Sequence, residues 1–205
     1  MSHTGERGPE GPMGIDYDIK SCPLNIVKTE EAGYKSAMLG LSLSYEVKDL
    51  SKMDKTAYRL CDKDGGHNKF LEMIQVWFDV TLPRGLWQQY DTYRTGTTKQ
   101  SGSTMHTILK KELTQTDFYL PIYPLTLDRL NSLITGKEFD KLKNELPEGY
   151  LQRRVVNTNY KVLRNIFMQR HDHKWGLWYH VCRAMWAQLE HPELLRTCFE
   201  KKNHT

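Results

Sequence analysis

The chain has 205 residues, which is enough for one domain with a substantial buried core, and a single domain is the expectation. Its 29 basic and 25 acidic side chains leave a net charge of only +4, which argues against a general nucleic-acid binder but leaves room for a small anionic ligand. No apolar run approaches the about 20 residues of a membrane-spanning helix and no signal-peptide pattern is present, so we expect no membrane partner and a soluble, cytoplasmic protein.

The N-terminal third predicts a leader, one strand and two helices. Residues 1–14 are rich in Gly, Pro and charge, so they predict a flexible leader ahead of one domain over 15–205. A short strand is predicted over 24–28. A helix with an apolar stripe follows, and the stripe contains Tyr34, Met38 and Leu41. A second, polar helix is predicted to end at Gly65-Gly66, because glycine commonly follows the last turn of a helix.

The middle of the chain predicts a strand, a helix and a loop. Apolar residues alternate with other residues in a period of two, which indicates a strand with one buried face: Ile74, Val76, Phe78 and Val80. Pro83 ends this strand and begins a helix that carries Leu86, Tyr90 and Tyr93 on one face. The segment 95–107 is rich in hydroxyl groups and glycine, so it predicts either an ordinary loop or a binding loop.

The second half of the chain predicts helices over 125–150 and 157–191, because apolar residues recur there at steps of three and four. Glycine-rich dinucleotide and phosphate motifs are missing, as is the GxSxG motif of serine hydrolases. The sequence HDHK at His171–Lys174 is interpreted as a solvated helix end, and no metal site is predicted. The cysteines form no CxxC pair and are predicted to be reduced structural thiols: Cys22, Cys61, Cys182 and Cys198.

Polar residues between His67 and Arg170 have an ordered spacing that resembles the flavin-dependent thymidylate synthases, the ThyX family. The segment GHNKFLEM, with His67 and Glu72, resembles the family's GHxxxxEH motif, and Pro83 lies where the family has a strand-ending proline. Thr92-Tyr93-Arg94 takes the place of an Arg-His-Arg triplet, so only its last arginine remains. After one inserted residue, the rest of that signature falls on Thr98, Gln100, Ser103 and Met105.

The C-terminal half extends the resemblance. After Pro147, the family's block of polar residues is matched by Asn159, Lys161, Asn165 and Arg170. Asp140 and Lys143 stand where a glutamate and an arginine precede the family's Leu-Pro pair, and Ser44 matches a flavin-contacting serine at the end of the first helix.

This resemblance implies an α+β, ThyX-like fold with an antiparallel or mixed sheet flanked by helices and a helical C-terminal half. It implies a homotetramer with shared active sites, FAD as cofactor, and NADPH and methylenetetrahydrofolate as co-substrates. The reaction would transfer a one-carbon unit to carbon 5 of a deoxypyrimidine monophosphate, converting dUMP to dTMP, with no nucleophilic cysteine. The implied cofactor-binding residues are Ser44, His67, Glu72, Gln100, Asn159, Lys161 and Asn165.

The substrate side can also be argued from chemistry. A nucleoside monophosphate carries about two negative charges, and arginine or lysine is needed to bind them outside bulk water. The pyrimidine ring needs planar donor and acceptor groups, which Gln89 and Arg170 can supply. The predicted substrate-binding residues are Gln89, Arg94, Ser103, Lys143 and Arg170. No catalytic residue is assigned.

Three functional hypotheses stay open. The first is a diverged, phage-encoded thymidylate synthase of this family, the second a flavin-dependent relative that makes a 5-hydroxymethyl pyrimidine nucleotide, and the third a flavin-free nucleotide-binding protein on the same scaffold. Closed active sites exclude water. Because Tyr93 and Met105 replace charged residues of the signature, we expect a drier pocket and a methylated product.

Overall fold

The computed structural model describes residues 24–199, so the predicted leader and Cys22 lie outside the described residues. A four-stranded sheet has the order β1-β2-β4-β3, and each neighbouring pair of strands is antiparallel. The strands are β1 (Asn25–Ala32), β2 (Gln75–Pro83), β3 (Thr98–Ser101) and β4 (Leu151–Asn159).

The described residues also form helices. They are α1 (Tyr34–Leu43), α2 (Met53–Leu60), α3 (Arg84–Tyr90), α4 (Thr104–Thr107), α5 (Pro124–Thr135), α6 (Phe139–Glu145), α7 (Tyr160–Arg170) and α8 (Leu177–Trp186). Short 3-10 segments cover Leu50–Lys52, Lys69–Met73, Gln115–Asp117 and Pro192–Phe199. None of the helices within residues 24–199 combines the length and the hydropathy of a membrane span.

The central strand β2 confirms the predicted period of two. Val76, Phe78 and Val80 are fully buried, while the residues between them are partly exposed. The buried face packs into the main core together with large aromatic side chains from three helices and neighbouring segments, among them Trp87, Phe167 and Trp178. Burial of each such side chain contributes about 1.5–3 kcal/mol, so this core fixes α3, α7 and α8 against the sheet.

A second, smaller core lies in the segment that connects β3 to β4. It is built by α5, α6 and the chain before them, and its buried residues are Ile108, Leu113, Phe118, Leu130, Leu133, Ile134, Leu142 and Leu146. Arg129 and Glu145 form an ion pair at 2.8 Å on the surface of this unit. The unit holds Lys143, one of the predicted substrate-binding residues, beside the start of α4.

The prediction of a wholly helical C-terminal half is wrong, because Leu151–Asn159 forms strand β4 between β2 and β3. The prediction of a loop over 95–107 is wrong in part, because Thr98–Ser101 forms the edge strand β3 and Thr104–Thr107 is helical. The charged residues Arg153 and Arg154 do not indicate a strand in the sequence. The segment becomes strand β4 because it pairs with β2 and β3, which lie far away in the sequence.

Several predicted boundaries also differ from the structure. The first strand continues to Ala32, and α2 ends at Leu60, before the glycine pair. Gly65 and Gly66 have φ values of 71° and 89°, so they shape the loop that leads to His67 rather than end the helix. Helix α3 ends at Tyr90, and Tyr93 therefore lies in the following turn, where it is nevertheless buried.

Candidate functional site

A cleft of about 450 Å³ lies between α1 and the segment Lys69–Met73. Ser44, at the C-terminal end of α1, lines this cleft together with His67 and Glu72. Three of the predicted cofactor-binding residues therefore meet at one place: His67 and Glu72 come from one short segment, and Ser44 comes from the end of α1. The other lining residues are Gly40, Leu41, Tyr45, Leu60, Gly66, Lys69, Phe70 and Met73.

Two glycines allow α1 to approach this segment. A Cβ atom at Gly33 would lie 2.2 Å from the carbonyl oxygen of Met73, and Gly33 has a φ of 97°, so a side chain there is excluded by space and by conformation. At Gly40, a Cβ atom would lie 3.5 Å from Met73 Sδ, which is ordinary van der Waals contact. Gly40 therefore leaves the cleft wider than any larger residue would.

The loop that carries His67 is held by the N-terminal half of α7. Lys161 Nζ donates a hydrogen bond to Asn68 Oδ1 and lies 3.8 Å from Asp64 Oδ1. Arg164 is 8% exposed, and its Nη1 lies 3.4 Å from Asp64 Oδ1. Lys161, predicted to contact the cofactor, does not line the cleft in this chain but anchors the loop that does.

A second group of polar side chains surrounds Arg170 at the C-terminal end of α7. Arg170 Nε donates to the Tyr93 hydroxyl at 2.9 Å, and Arg170 Nη1 lies 3.5 Å from Gln89 Oε1. Trp178 Nε1 donates to the same Gln89 oxygen at 2.8 Å. The Arg170 guanidinium carbon lies 5.6 Å from the centroid of the Tyr93 ring and 5.4 Å from that of Trp178. Predicted residues Gln89 and Arg170 are thus brought together.

Asn165 belongs to the same group through one intermediate. The Tyr93 hydroxyl donates to Gln169 Oε1 at 2.9 Å, and Gln169 Nε2 donates to Asn165 Oδ1 at 2.8 Å. Asn165 itself is exposed. A continuous hydrogen-bonded chain therefore joins a predicted cofactor residue to a predicted substrate residue.

Lys143 marks a third group, near the start of α4. Its Nζ donates to Thr104 Oγ1 at 2.8 Å, next to the predicted residue Ser103. Burial and the nearby positive charge of Arg84 hold the pKa of Lys143 below its ordinary value. Within residues 24–199, no carboxylate lies within 4.0 Å of this amine. A cation without an acidic partner suits a phosphate group.

The remaining predicted residues lie outside these groups. Arg94 is exposed and has no ion-pair partner in the described part of the chain, and Gln100 is exposed on the edge strand β3, where it pairs with Val155. Asn159 is 7% exposed and caps α7, because its Oδ1 accepts from Val162 N at 3.0 Å.

Replacing Asn159 with alanine is expected to lower the free energy of unfolding by about 1 kcal/mol, the usual effect of losing an N-terminal cap. The helix would lose the bond to Val162 N and the packing of the Asn159 amide against Gly96, where a Cβ atom would approach it to 2.9 Å. Urea denaturation followed by circular dichroism measures the change. Asn159→Asp keeps the capping oxygen and is the control; equal stability of Asn159→Ala and the wild type would remove the capping role.

The three groups do not converge within one chain. Lys161 and Arg170 are about 14 Å apart along α7, from a rise of about 1.5 Å per residue. The Lys143 group lies at the Leu151 end of β4 and the His67 loop near the Asn159 end, which are about 26 Å apart at about 3.3 Å per residue.

Some residues of these groups were not recognised in the sequence. Trp178 gives no separate signal, because an aromatic residue at helical spacing is also typical of a core, and Trp178 is fully buried. Gly40, in the middle of a predicted helix, is the kind of signal that indicates a close approach. Tyr93 was predicted on the apolar face of a helix and as the replacement of a charged residue, whereas in the structure its hydroxyl binds Arg170.

The thiols show no sign of reactivity. Cys61, Cys182 and Cys198 are free and buried. Burial raises the pKa of the Cys61 thiol to about 11 and that of Cys198 to about 12, so both are neutral near pH 7. In the part of the chain that the structure describes, no three side chains of His, Cys, Asp or Glu are grouped so that they could hold a metal ion.

Comparison with known proteins finds similarity at the level of the fold. No protein-family model matches the chain, and no curated protein matches it in sequence. Thymidylate synthase X (ThyX) from Helicobacter pylori, crystallised with FAD and dUMP, is 20% identical with a TM-score of 0.75, over 87% of this chain and 100% of that chain. The UMP/dUMP methylase PolB from Streptomyces cacaoi, bound with 5-Br dUMP, is 12% identical with a TM-score of 0.65, over 86% and 94% of the two chains. The predicted α+β, ThyX-like fold is confirmed.

Proposed function

We propose that this chain, which has the ThyX fold, is a flavin-dependent enzyme that modifies carbon 5 of a deoxypyrimidine monophosphate, with dUMP as its substrate. The observation that carries the proposal is the meeting of Ser44, His67 and Glu72 in one cleft. These residues were selected from the sequence by their resemblance to ThyX motifs; His67 and Glu72 belong to one short segment, whereas Ser44 reaches the cleft from the end of α1. The FAD and dUMP in the Helicobacter pylori structures motivate the choice of ligands.

The residues of the cleft suit a flat, partly apolar cofactor such as FAD. Its volume of about 450 Å³ falls in the range of small-molecule sites, about 300–1,000 Å³. Leu41, Phe70 and Met73 supply apolar walls, while Ser44 and Lys69 supply a hydroxyl and a cation for polar groups of the ligand. FAD, when bound, supplies the redox chemistry, and the chain's own residues orient the ligand and exclude water.

The substrate phosphate and base would be bound by Arg170, Gln89 and Lys143. Arg170 is suited to an anion because a guanidinium offers several donors in one plane. The Lys143 group and the cleft lie at opposite ends of the sheet, so a nucleotide held by both would need more than one chain. This separation supports the proposed homotetramer with shared active sites.

For the reaction, we propose transfer of the methylene carbon of methylenetetrahydrofolate to carbon 5, with NADPH as the source of two electrons, giving dTMP and tetrahydrofolate. Addition of water to the carbon-5 methylene group would instead give a hydroxymethyl product and would consume no reductant. Tyr93 is only 8% exposed, which favours a dry pocket, whereas Met105 is 64% exposed within one chain. Because Tyr93 is buried, we propose that the product is the methylated nucleotide.

The purified chain is expected to bind FAD and to convert dUMP to a product heavier by one methylene unit. The absorbance spectrum reports FAD, and mass spectrometry reports the product after incubation with NADPH and methylenetetrahydrofolate; dCMP serves as the competing substrate. An additional oxygen in the product would favour the hydroxymethyl-forming alternative. A colourless protein that binds dUMP but ignores added FAD would instead support a flavin-free nucleotide-binding role.

A further inference from the structure

Tyr93 lies where the resemblance would place a histidine, and in this chain its hydroxyl lies between two polar side chains. Arg170 Nε donates to it at 2.9 Å, and it donates to Gln169 Oε1 at 2.9 Å. We infer that Tyr93 is a positioning residue that holds the Arg170 guanidinium in place for an anionic nucleotide. The inference rests on the proposed function, because it assumes that Arg170 meets the substrate.

The contacts of Arg170 leave donors free for a ligand. A guanidinium has five N–H groups. Tyr93 takes the one on Nε, and Gln89 Oε1 lies 3.5 Å from Nη1, while Nη2 has no partner among residues 24–199. The rings of Tyr93 and Trp178 also attract the cation through their faces. Tyr93 therefore fixes the direction of the guanidinium without using the donors that an anion would need.

The series of hydrogen bonds from Arg170 through Tyr93 and Gln169 to Asn165 can run in only one direction. Arginine has no acceptor, so the Tyr93 oxygen must accept from Arg170 and its proton must go to Gln169 Oε1. Gln169 then presents Nε2 to Asn165 Oδ1, which leaves Asn165 Nδ2 as the donor that Asn165 can offer. Tyr93 thus sets the orientation of two residues, Arg170, which was predicted to bind the substrate, and Asn165, which was predicted to bind the cofactor.

A matched control is present in the same aromatic group. Tyr90 is fully buried, its ring centroid lies 6.3 Å from that of Tyr93, and its hydroxyl has no hydrogen-bond partner among the described residues. Tyr90→Phe and Tyr93→Phe remove the same oxygen atom from neighbouring tyrosines. They differ in whether that oxygen contacts Arg170.

The test is calorimetry of dUMP binding to the full chain and to these two variants. Tyr93→Phe is expected to bind dUMP about tenfold more weakly, because a hydrogen bond to a charged group is lost. Its KM for dUMP should rise with little change in kcat, while Tyr90→Phe should match the wild type in both. Tyr93→Phe with wild-type affinity would overturn the inference.

Gln169→Leu provides a second test at an exposed position. It leaves both tyrosines in place but removes the acceptor of the Tyr93 proton, and it is expected to weaken dUMP binding about threefold. If Tyr93→Phe does not fold, this variant decides, and unchanged affinity would overturn the inference. A wild-type chain that does not bind dUMP would refute the proposed function and this inference with it, whereas wild-type binding with unaffected variants refutes only the inference.

Discussion

Replacing Arg170 with alanine is expected to weaken dUMP binding by at least about 100-fold, because two charge-assisted hydrogen bonds of about 1.5–3 kcal/mol each would be lost. Arg170 is held between Tyr93 and Trp178 with donors still available, and no other arginine within residues 24–199 makes these contacts. Isothermal titration calorimetry with dUMP measures the change. Circular dichroism should show an intact fold, since the core residues Leu163 and Phe167 on the same helix are unchanged.

Arg129→Ala is the control for this experiment. Arg129 forms its ion pair with Glu145 on the surface of the second core, and its side chain is 51% exposed. Its removal takes away the same positive charge and should leave dUMP affinity unchanged. If Arg170→Ala binds dUMP as tightly as Arg129→Ala does, Arg170 does not belong to the nucleotide site.

Replacing Gly40 with phenylalanine is expected to abolish FAD binding and leave a colourless protein. Gly40 lines the cleft, and the direction of its missing side chain leads to Met73 Sδ. An aromatic ring there would occupy the space that the cofactor needs. The absorbance spectrum of the purified protein and titration with FAD measure the loss.

Gly40→Ala is the control that distinguishes a blocked cleft from a destabilised helix α1. A Cβ atom at this position meets Met73 only at van der Waals distance, and alanine stabilises a helix interior relative to glycine by about 0.5–1 kcal/mol. This variant should keep FAD and melt at a higher temperature than the wild type. Full FAD binding by Gly40→Phe would mean that the flavin site lies elsewhere.

The elements with a strong local pattern could be predicted from the sequence. Along β2 the alternation of buried and partly exposed residues repeats over several residue pairs, and along α7 the apolar face repeats over several helical turns. The local sequence therefore already indicates both conformations. Strand β4 could not be predicted, because its residues Arg153 to Asn157 are polar or β-branched without a clear period. They become a strand only by pairing with β2 on one side and β3 on the other.

The sequence predicted some residues that meet in the structure, but not the contacts that connect them. Ser44, His67 and Glu72 were chosen by resemblance to ThyX motifs, and the structure brings them to one cleft. The bond between Tyr93 and Arg170 joins residues 77 positions apart, and no periodicity relates a turn after one helix to the end of another. Such contacts depend on how α7 packs in the main core, which the sequence pattern does not specify.

Helix α7 links the His67 loop, held by Lys161 and Arg164, to Arg170 at its other end. A helix turns by about 100° per residue, so one inserted or deleted residue between Lys161 and Arg170 would swing the guanidinium about a quarter-turn away from Tyr93. Substitutions leave the angle between Lys161 and Arg170 about the helix axis unchanged. Natural variants of this protein should therefore carry substitutions along α7 but no insertions or deletions there, because the length of the helix fixes the position of Arg170 relative to Lys161.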